Sequence, residues 1–105
     1  MQIQVNTDKN IQNDKRMMEI VENQIKHALK RFGNQVTRVE AHLSDENSNK
    51  KSGAANKRCV LEARISGIQP ITVSETAETV KQAIDGAADK LQRSVESALG
   101  RLGNR

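Results

Sequence analysis

Val80, Ile84, Ala87, Leu91, Val95, Ala98 and Leu102 recur at three- and four-residue steps, which places them on one stripe of a 3.6-residue period. A stripe this long has to be buried on something wide, and laying a helix on a sheet is the simplest solution. Thr79 followed by Gln82 has the spacing of a capping box, so the helix is expected to begin between residues 76 and 79. Gly100 and Gly103 suit a fraying or terminating end. Upstream, Cys59, Leu61, Ala63 and Ile65 alternate with Arg58, Val60, Glu62 and Arg64, so this strand offers one apolar face to the helix.

The remaining segments agree with that pairing. Residues 2–6 alternate, with Ile3 and Val5 on one side and Gln2, Gln4 and Asn6 on the other, and read as a short strand. Residues 7–13 are polar and turn-like. Asn13 or Asp14 is placed to cap a helix whose apolar stripe is Met17 or Met18, Val21, Ile25, Ala28 or Leu29, and Phe32, with Gly33 and Asn34 ending it. Val39, Ala41 and Leu43 alternate with Arg38, Glu40, His42 and Ser44 in a second strand. Residues 45–56 hold no apolar side chain larger than Ala and are expected to form a mobile hairpin loop. After the strand at residues 58–66, a turn containing Gly67 and Pro70 leads to a fourth strand with Ile71 and Val73, and then to the long helix.

The order is thus β-α-β-β-β-α across one α+β domain, residues 1–105. A helix linking the first two strands implies that they are parallel, joined by a right-handed crossover, while the later strands form antiparallel hairpins. The expectation is a four-stranded mixed sheet with both helices packed on one face. The other face would be open and carry Arg38, Glu40, His42, Arg58, Glu62 and Arg64.

Composition narrows the function. One Phe and no Trp or Tyr require an aliphatic core, and the formal charge of +4 favours an anionic partner. A lone cysteine excludes an internal disulfide and a cysteine-based zinc cage. Nothing resembles a membrane span or a signal peptide, so the expected compartment is the cytoplasm. No catalytic constellation, glycine-rich phosphate loop or cofactor motif stands out, and the expectation is a non-enzyme without cofactor, metal or small-molecule substrate. His27 and His42 fall on polar faces. Cys59 reads as a small core residue. Asp85 and Asp89 lie one helical turn apart and fit a solvated edge better than a metal pair.

The cations say more. Lys15, Arg16, Lys26, Lys30 and Arg31 lie away from the first helix's apolar stripe, with Glu19 and Glu22 among them. Lys90, Arg93 and Arg101 flank the stripe of the second helix, with Asp85, Asp89 and Glu96 on its other side. An ordinary solvated face accounts for such residues; so does contact with phosphates. The lack of aromatics argues against single-strand binders that stack bases on Phe, Tyr or Trp, which leaves recognition of a folded RNA through its shape and backbone.

These residues resemble a family. Ile20, Val21 and Glu22 with Ile25, Leu29 and Phe32, then the run from Val39 through Ser44, and above all Ala83, Ile84 and Asp85 with Asp89, Lys90 and Leu91, are similar to the ribosome hibernation-promoting factor and ribosome-associated inhibitor A family, also described as sigma-54 modulation proteins. The resemblance covers nearly the whole chain and is closest to the short forms. It implies a protein that binds the small ribosomal subunit in the messenger and transfer RNA channel and inhibits translation in resting or stressed cells. It also implies that Lys26, Lys30, Lys90 and Arg93 face rRNA. The chain departs from the family where Lys81 replaces a common Tyr and where the loop after the second strand is enlarged. Residues 1–105 include no counterpart of the C-terminal dimerisation domain of the long forms, so ribosome pairing by that route is not expected of them. Two other readings stand beside this one: a double-stranded RNA-binding module, and a protein-interaction module using the open sheet face, whose Arg38/Glu40 and Glu62/Arg64 pattern suits a cross-strand charge ladder.

Overall fold

The computed structural model describes residues 1–9, 11, 14–46 and 57–103, the last two as backbone only. The elements follow the expected order: β1 (Gln2–Thr7), α1 (Lys15–Leu29), a 3-10 turn (Lys30–Gln35), β2 (Val36–Asp45), β3 (Lys57–Ile65), β4 (Ile71–Ala77) and α2 (Val80–Gly103). The mobile loop expected over 45–56 falls on residues outside those described, apart from Asp45 and Glu46. So do Asn13 as an alternative cap and the side chain of Leu102.

The strands lie side by side in sequence order. β1 runs parallel to β2, with Ile3 beside Val39 and Val5 beside Ala41, and α1 supplies the crossover that parallel strands need. β2 and β3 pair antiparallel, Leu43 opposite Cys59 and Ala41 opposite Leu61, and β3 pairs with β4 in the same sense, Leu61 opposite Val73. Because side chains alternate across a strand, this register gathers Val39, Ala41, Leu43, Cys59, Leu61 and Ala63 on one face, all buried. Val21, Ile25 and Leu29 of α1 and Ile84, Leu91 and Val95 of α2 close over that face. Both helices therefore share it, α2 over β3 and β4 and α1 beside α2.

Local chemistry sets the helix starts. Asp14 caps α1, its Oδ1 accepting the Met17 amide at 2.8 Å. Thr79 and Gln82 form the reciprocal capping box: Gln82 N donates to Thr79 Oγ1 at 3.1 Å, and Thr79 N to Gln82 Oε1 at 3.3 Å. α1 gives way to a 3-10 turn in which Gly33 takes φ 58, a conformation that glycine adopts without strain, and Phe32 is buried there.

Three features differ from the sequence pattern. Ile11, inside the stretch read as a polar turn, is 7 % exposed and joins the core; a single apolar residue shows no period. Ala83 and Ala88 widen the buried stripe of α2. β4 continues to Ala77, beyond the last apolar alternation at Val73, because Glu75 pairs with Cys59 and Ala77 with Lys57. Backbone pairing, rather than hydrophobicity, carries that half of the strand.

Candidate functional site

The helix layer carries two pairs of cations. Lys26 and Lys30 stand one turn apart at the end of α1, and both are exposed. Lys30 borders a shallow groove between the helices with His27, Arg31 and Gln92. Arg31 spans the helices there, its Nη1 lying 3.1 Å from Glu96 Oε2. Lys90 and Arg93 occupy the opposite flank of α2, which is turned toward β4. Lys90 Nζ donates to the Ser74 carbonyl at 2.9 Å and lies 2.7 Å from Glu75 Oε1. Arg93 pairs with Asp89 one turn back and borders a hollow beside the β3–β4 turn.

All four residues are exposed, but the structure brings them together as two pairs with the body of α2 between them. Lys90 and Gln92 lie about 200° apart around the helix, hence on opposite flanks. The pairs also differ electrostatically. The Lys90 ammonium and the Arg93 guanidinium each have a carboxylate partner within the chain. These partners offset part of the positive potential that an outside anion would meet. Both ion pairs are largely solvated, so each is a weak restraint that a phosphate can displace. The Glu75 partner was not legible in the sequence, since it depends on the packing of α2 against β4. Asp89, read from the sequence as lying across the stripe from Arg93, stands one turn back on the same flank, because residues four apart on a helix are neighbours.

The open sheet face has the expected residues, but their charges are arranged differently from a ladder. Arg38 sits opposite Arg64, and Glu40 opposite Glu62, so like faces like across β2 and β3. Arg38 turns instead along its own strand and toward β1. It donates to Glu40 Oε2 at 2.9 Å, to Gln2 Oε1 at 3.4 Å, and to Gln4. The Arg38 hydrogen bond is the main cause holding the Glu40 carboxyl below its ordinary range, helped by the Arg38 charge and by His42, and opposed by partial desolvation. His42 Nε2 is 3.6 Å from Glu40 Oε1 and its Nδ1 is 3.5 Å from Asn6 Nδ2. The centre of this face is thus occupied with its own contacts.

Other reactive side chains are similarly engaged. Cys59 is fully buried, and burial pushes its thiol up to about 12, which withholds the thiolate that nucleophilic chemistry needs. Asp85 accepts Lys81 Nζ at 3.0 Å and Asp89 takes Arg93, so the two acids hold cations of their own helix. Among the described residues no three His, Cys, Asp or Glu side chains gather into a possible metal set. No described helix is long and apolar enough to cross a membrane. What the surface offers is cationic groups on rigid helices, suited to holding anions.

Comparison with known proteins agrees with the architecture. No curated protein sequence matches the chain significantly. The fold is similar to the N-terminal domain of Thermus thermophilus Protein Y, with a TM-score of 0.72 and 20% identity over 92% of this chain and 98% of that one. It is also similar to a ribosomal subunit interface protein from Coxiella burnetii, with a TM-score of 0.76 and 12% identity over 95% of this chain and 99% of the other. The sequence profile of the sigma 54 modulation protein / S30EA ribosomal protein family matches residues 3–102, from the first core-facing residue of β1 to the end of α2, and the chain belongs to that family.

Proposed function

We propose that this protein binds the small ribosomal subunit in the channel used by messenger and transfer RNA, and that its presence there inhibits translation in resting or stressed cells. The observation that carries the reading is the family match over residues 3–102, which spans both helices and every strand. The Coxiella burnetii relative, described as a ribosomal subunit interface protein, supports it. The chemistry required is modest. A channel lined by rRNA presents closely spaced phosphates, and a folded domain with a formal charge of +4 can occupy it through phosphate contacts. Lys26, Lys30, Lys90 and Arg93 make those contacts from the helix layer. Obstruction needs neither catalysis nor a cofactor, and the site of action is cytoplasmic. The whole of residues 1–105 acts as one domain.

The test is co-sedimentation with isolated small subunits at low and raised salt, with circular dichroism as folding control. Binding of the parent is expected to fall steeply with salt, because contact with phosphates releases counterions. Changing Lys26, Lys30, Lys90 and Arg93 together to Glu should abolish pelleting and leave the fold intact, since none of them is in the core. A folded quadruple variant that pellets like the parent removes these residues from the RNA surface. A parent that never pellets at low salt removes the ribosome from the reading.

A further inference from the structure

The turn between β3 and β4 and the last turns of α2 flank an open hollow of about 680 Å³, a volume in the range of small-ligand sites. Its origin is local. Gly67, at φ 84, turns the chain so that Ile68 and Ile71 lean toward α2, half-buried. On the facing flank of α2 stand Ser94, Ser97 and Ala98, side chains too short to reach across. One wall is therefore aliphatic and the other is small and partly hydroxylated.

The charges are placed at the two ends. Arg93 and Arg101 border the hollow, eight residues apart on one helix, or roughly 12 Å along its axis. Arg101 Nη1 donates to Ser97 Oγ at 2.8 Å, which keeps it near the opening. Among the described residues no acidic side chain lines the hollow. Gln69 adds an amide that both donates and accepts.

We infer that this hollow binds a nucleotide, its base lying between the aliphatic wall and the short side chains of α2 and its phosphates held by Arg93 and Arg101. The match is chemical. A base has apolar faces for Ile68 and Ile71 and a polar edge for Gln69, and phosphates suit guanidinium groups. A purely apolar ligand makes no use of the two arginines, whose partners within the chain are the solvated Asp89 and Ser97, and inorganic phosphate makes no use of the aliphatic wall. Contact with the base comes from burial and dispersion rather than ring stacking, so the missing aromatics are no obstacle. The nucleotide comes either from an RNA strand or from solution. Its use by rRNA rests on the proposed function; capture of a free nucleotide does not.

Amide shift mapping on the labelled protein separates the sources, with adenosine 3′,5′-bisphosphate as the free nucleotide and a short oligoadenylate as the strand. The expected result is shifts centred on Gln69, Ser94 and Ser97 with at least one of the two probes. Ser97→Glu, which places a carboxylate in the hollow, and Arg101→Glu should each weaken that binding at least about tenfold. Lys15→Glu, an equal or larger charge change outside the hollow, should weaken it less than about threefold. Tighter binding of the oligoadenylate, with Arg101→Glu also reducing subunit pelleting, assigns the source to RNA. Binding of the bisphosphate alone assigns it to free nucleotide. Shifts scattered along α1, no shifts with either probe, or full binding by both hollow variants overturns the inference. So does an acidic, leucine-containing peptide that perturbs the hollow where neither nucleotide does. If the parent never pellets with subunits but the bisphosphate still shifts the hollow, the ribosomal reading fails and the nucleotide site stands.

Discussion

Glu75 points at the helix side of the sheet from the edge strand β4, and its Oε1 meets Lys90 Nζ at 2.7 Å. An inward-pointing charge on an edge strand discourages pairing with another chain, and Lys90 adds to this by occupying the Ser74 carbonyl. The carboxylate has room because α2 carries Gly86 there. A Cβ at that position would lie 2.6 Å from Glu75 Cγ and 2.7 Å from its Cδ. An edge-strand acid, a helical glycine and a lysine one turn beyond it thus form a single unit.

The first prediction is a coupling between Glu75 and Gly86. Alone, Gly86→Ala gains helix propensity of about 1 kcal/mol but must push Glu75 aside and loosen its ion pair. In a Glu75→Ala background the obstacle is gone, and Gly86→Ala should stabilise by roughly 0.5–1 kcal/mol. Urea denaturation of the four proteins of the cycle measures this. Equal effects of Gly86→Ala in both backgrounds would show that the crowding has no energetic weight.

Leu91 sits at the middle of the seam between α2 and the sheet and is 1 % exposed. Truncation leaves a cavity that alanine-rich neighbours such as Ala87 and Ala88 cannot fill. Leu91→Ala should cost about 2–5 kcal/mol, a large part of the stability of a domain this size. A loss below about 1 kcal/mol in urea denaturation would mean that the seam collapses around the deletion.

Cys59 gives a pH signature. Its folded pKa is raised by burial to about 12, whereas an unfolded thiol titrates near ~8.5. A raised folded pKa stabilises fully below the unfolded value, and this contribution fades as pH rises toward the folded one. The urea midpoint should therefore fall more from about pH 9 upward in the parent than in Cys59→Ala. Iodoacetamide at mildly alkaline pH should modify the urea-unfolded chain quickly and the native chain slowly. Rapid alkylation of the native protein would show that this part of the core opens.

Much of this fold was legible because its signals are local. The stripe through Ile84, Leu91 and Val95, the Thr79–Gln82 box and the alternation through Cys59, Leu61 and Ala63 each lie within a few residues of sequence. Ile11 and the second half of β4 were hidden, since neither shows a period and tertiary packing and pairing decide them. The cationic residues could be placed on helix faces, but their partners were less accessible. Glu75 reaches Lys90 only because β4 runs under α2. Arg38 meets Gln2 and Gln4 only because β1 lies parallel to β2. Spacing showed where the charges are; the sheet register determines which of them are already engaged.

That distinction separates the two cationic pairs. Lys90 and Arg93 each hold a carboxylate, Glu75 and Asp89, so contact with a phosphate must loosen an existing pair. Lys26 and Lys30 are exposed on the other side of the helix layer, where Lys30 borders the groove and the neighbouring carboxylate of Glu96 is engaged by Arg31. If all four face rRNA, Lys26→Glu with Lys30→Glu should lower subunit affinity more than Lys90→Glu with Arg93→Glu. The second double variant also frees Glu75 and Asp89 to repel phosphates, so its effect should shrink when both carboxylates are changed to Gln. Co-sedimentation across a salt series measures both effects, with circular dichroism confirming the fold. The steeper salt dependence should be lost with the Lys26 and Lys30 pair, since each phosphate contact removed lowers the slope by nearly one. A larger loss with Lys90 and Arg93, unrelieved by the Gln changes, would make the flank of α2 facing β4 the principal contact and the groove side secondary.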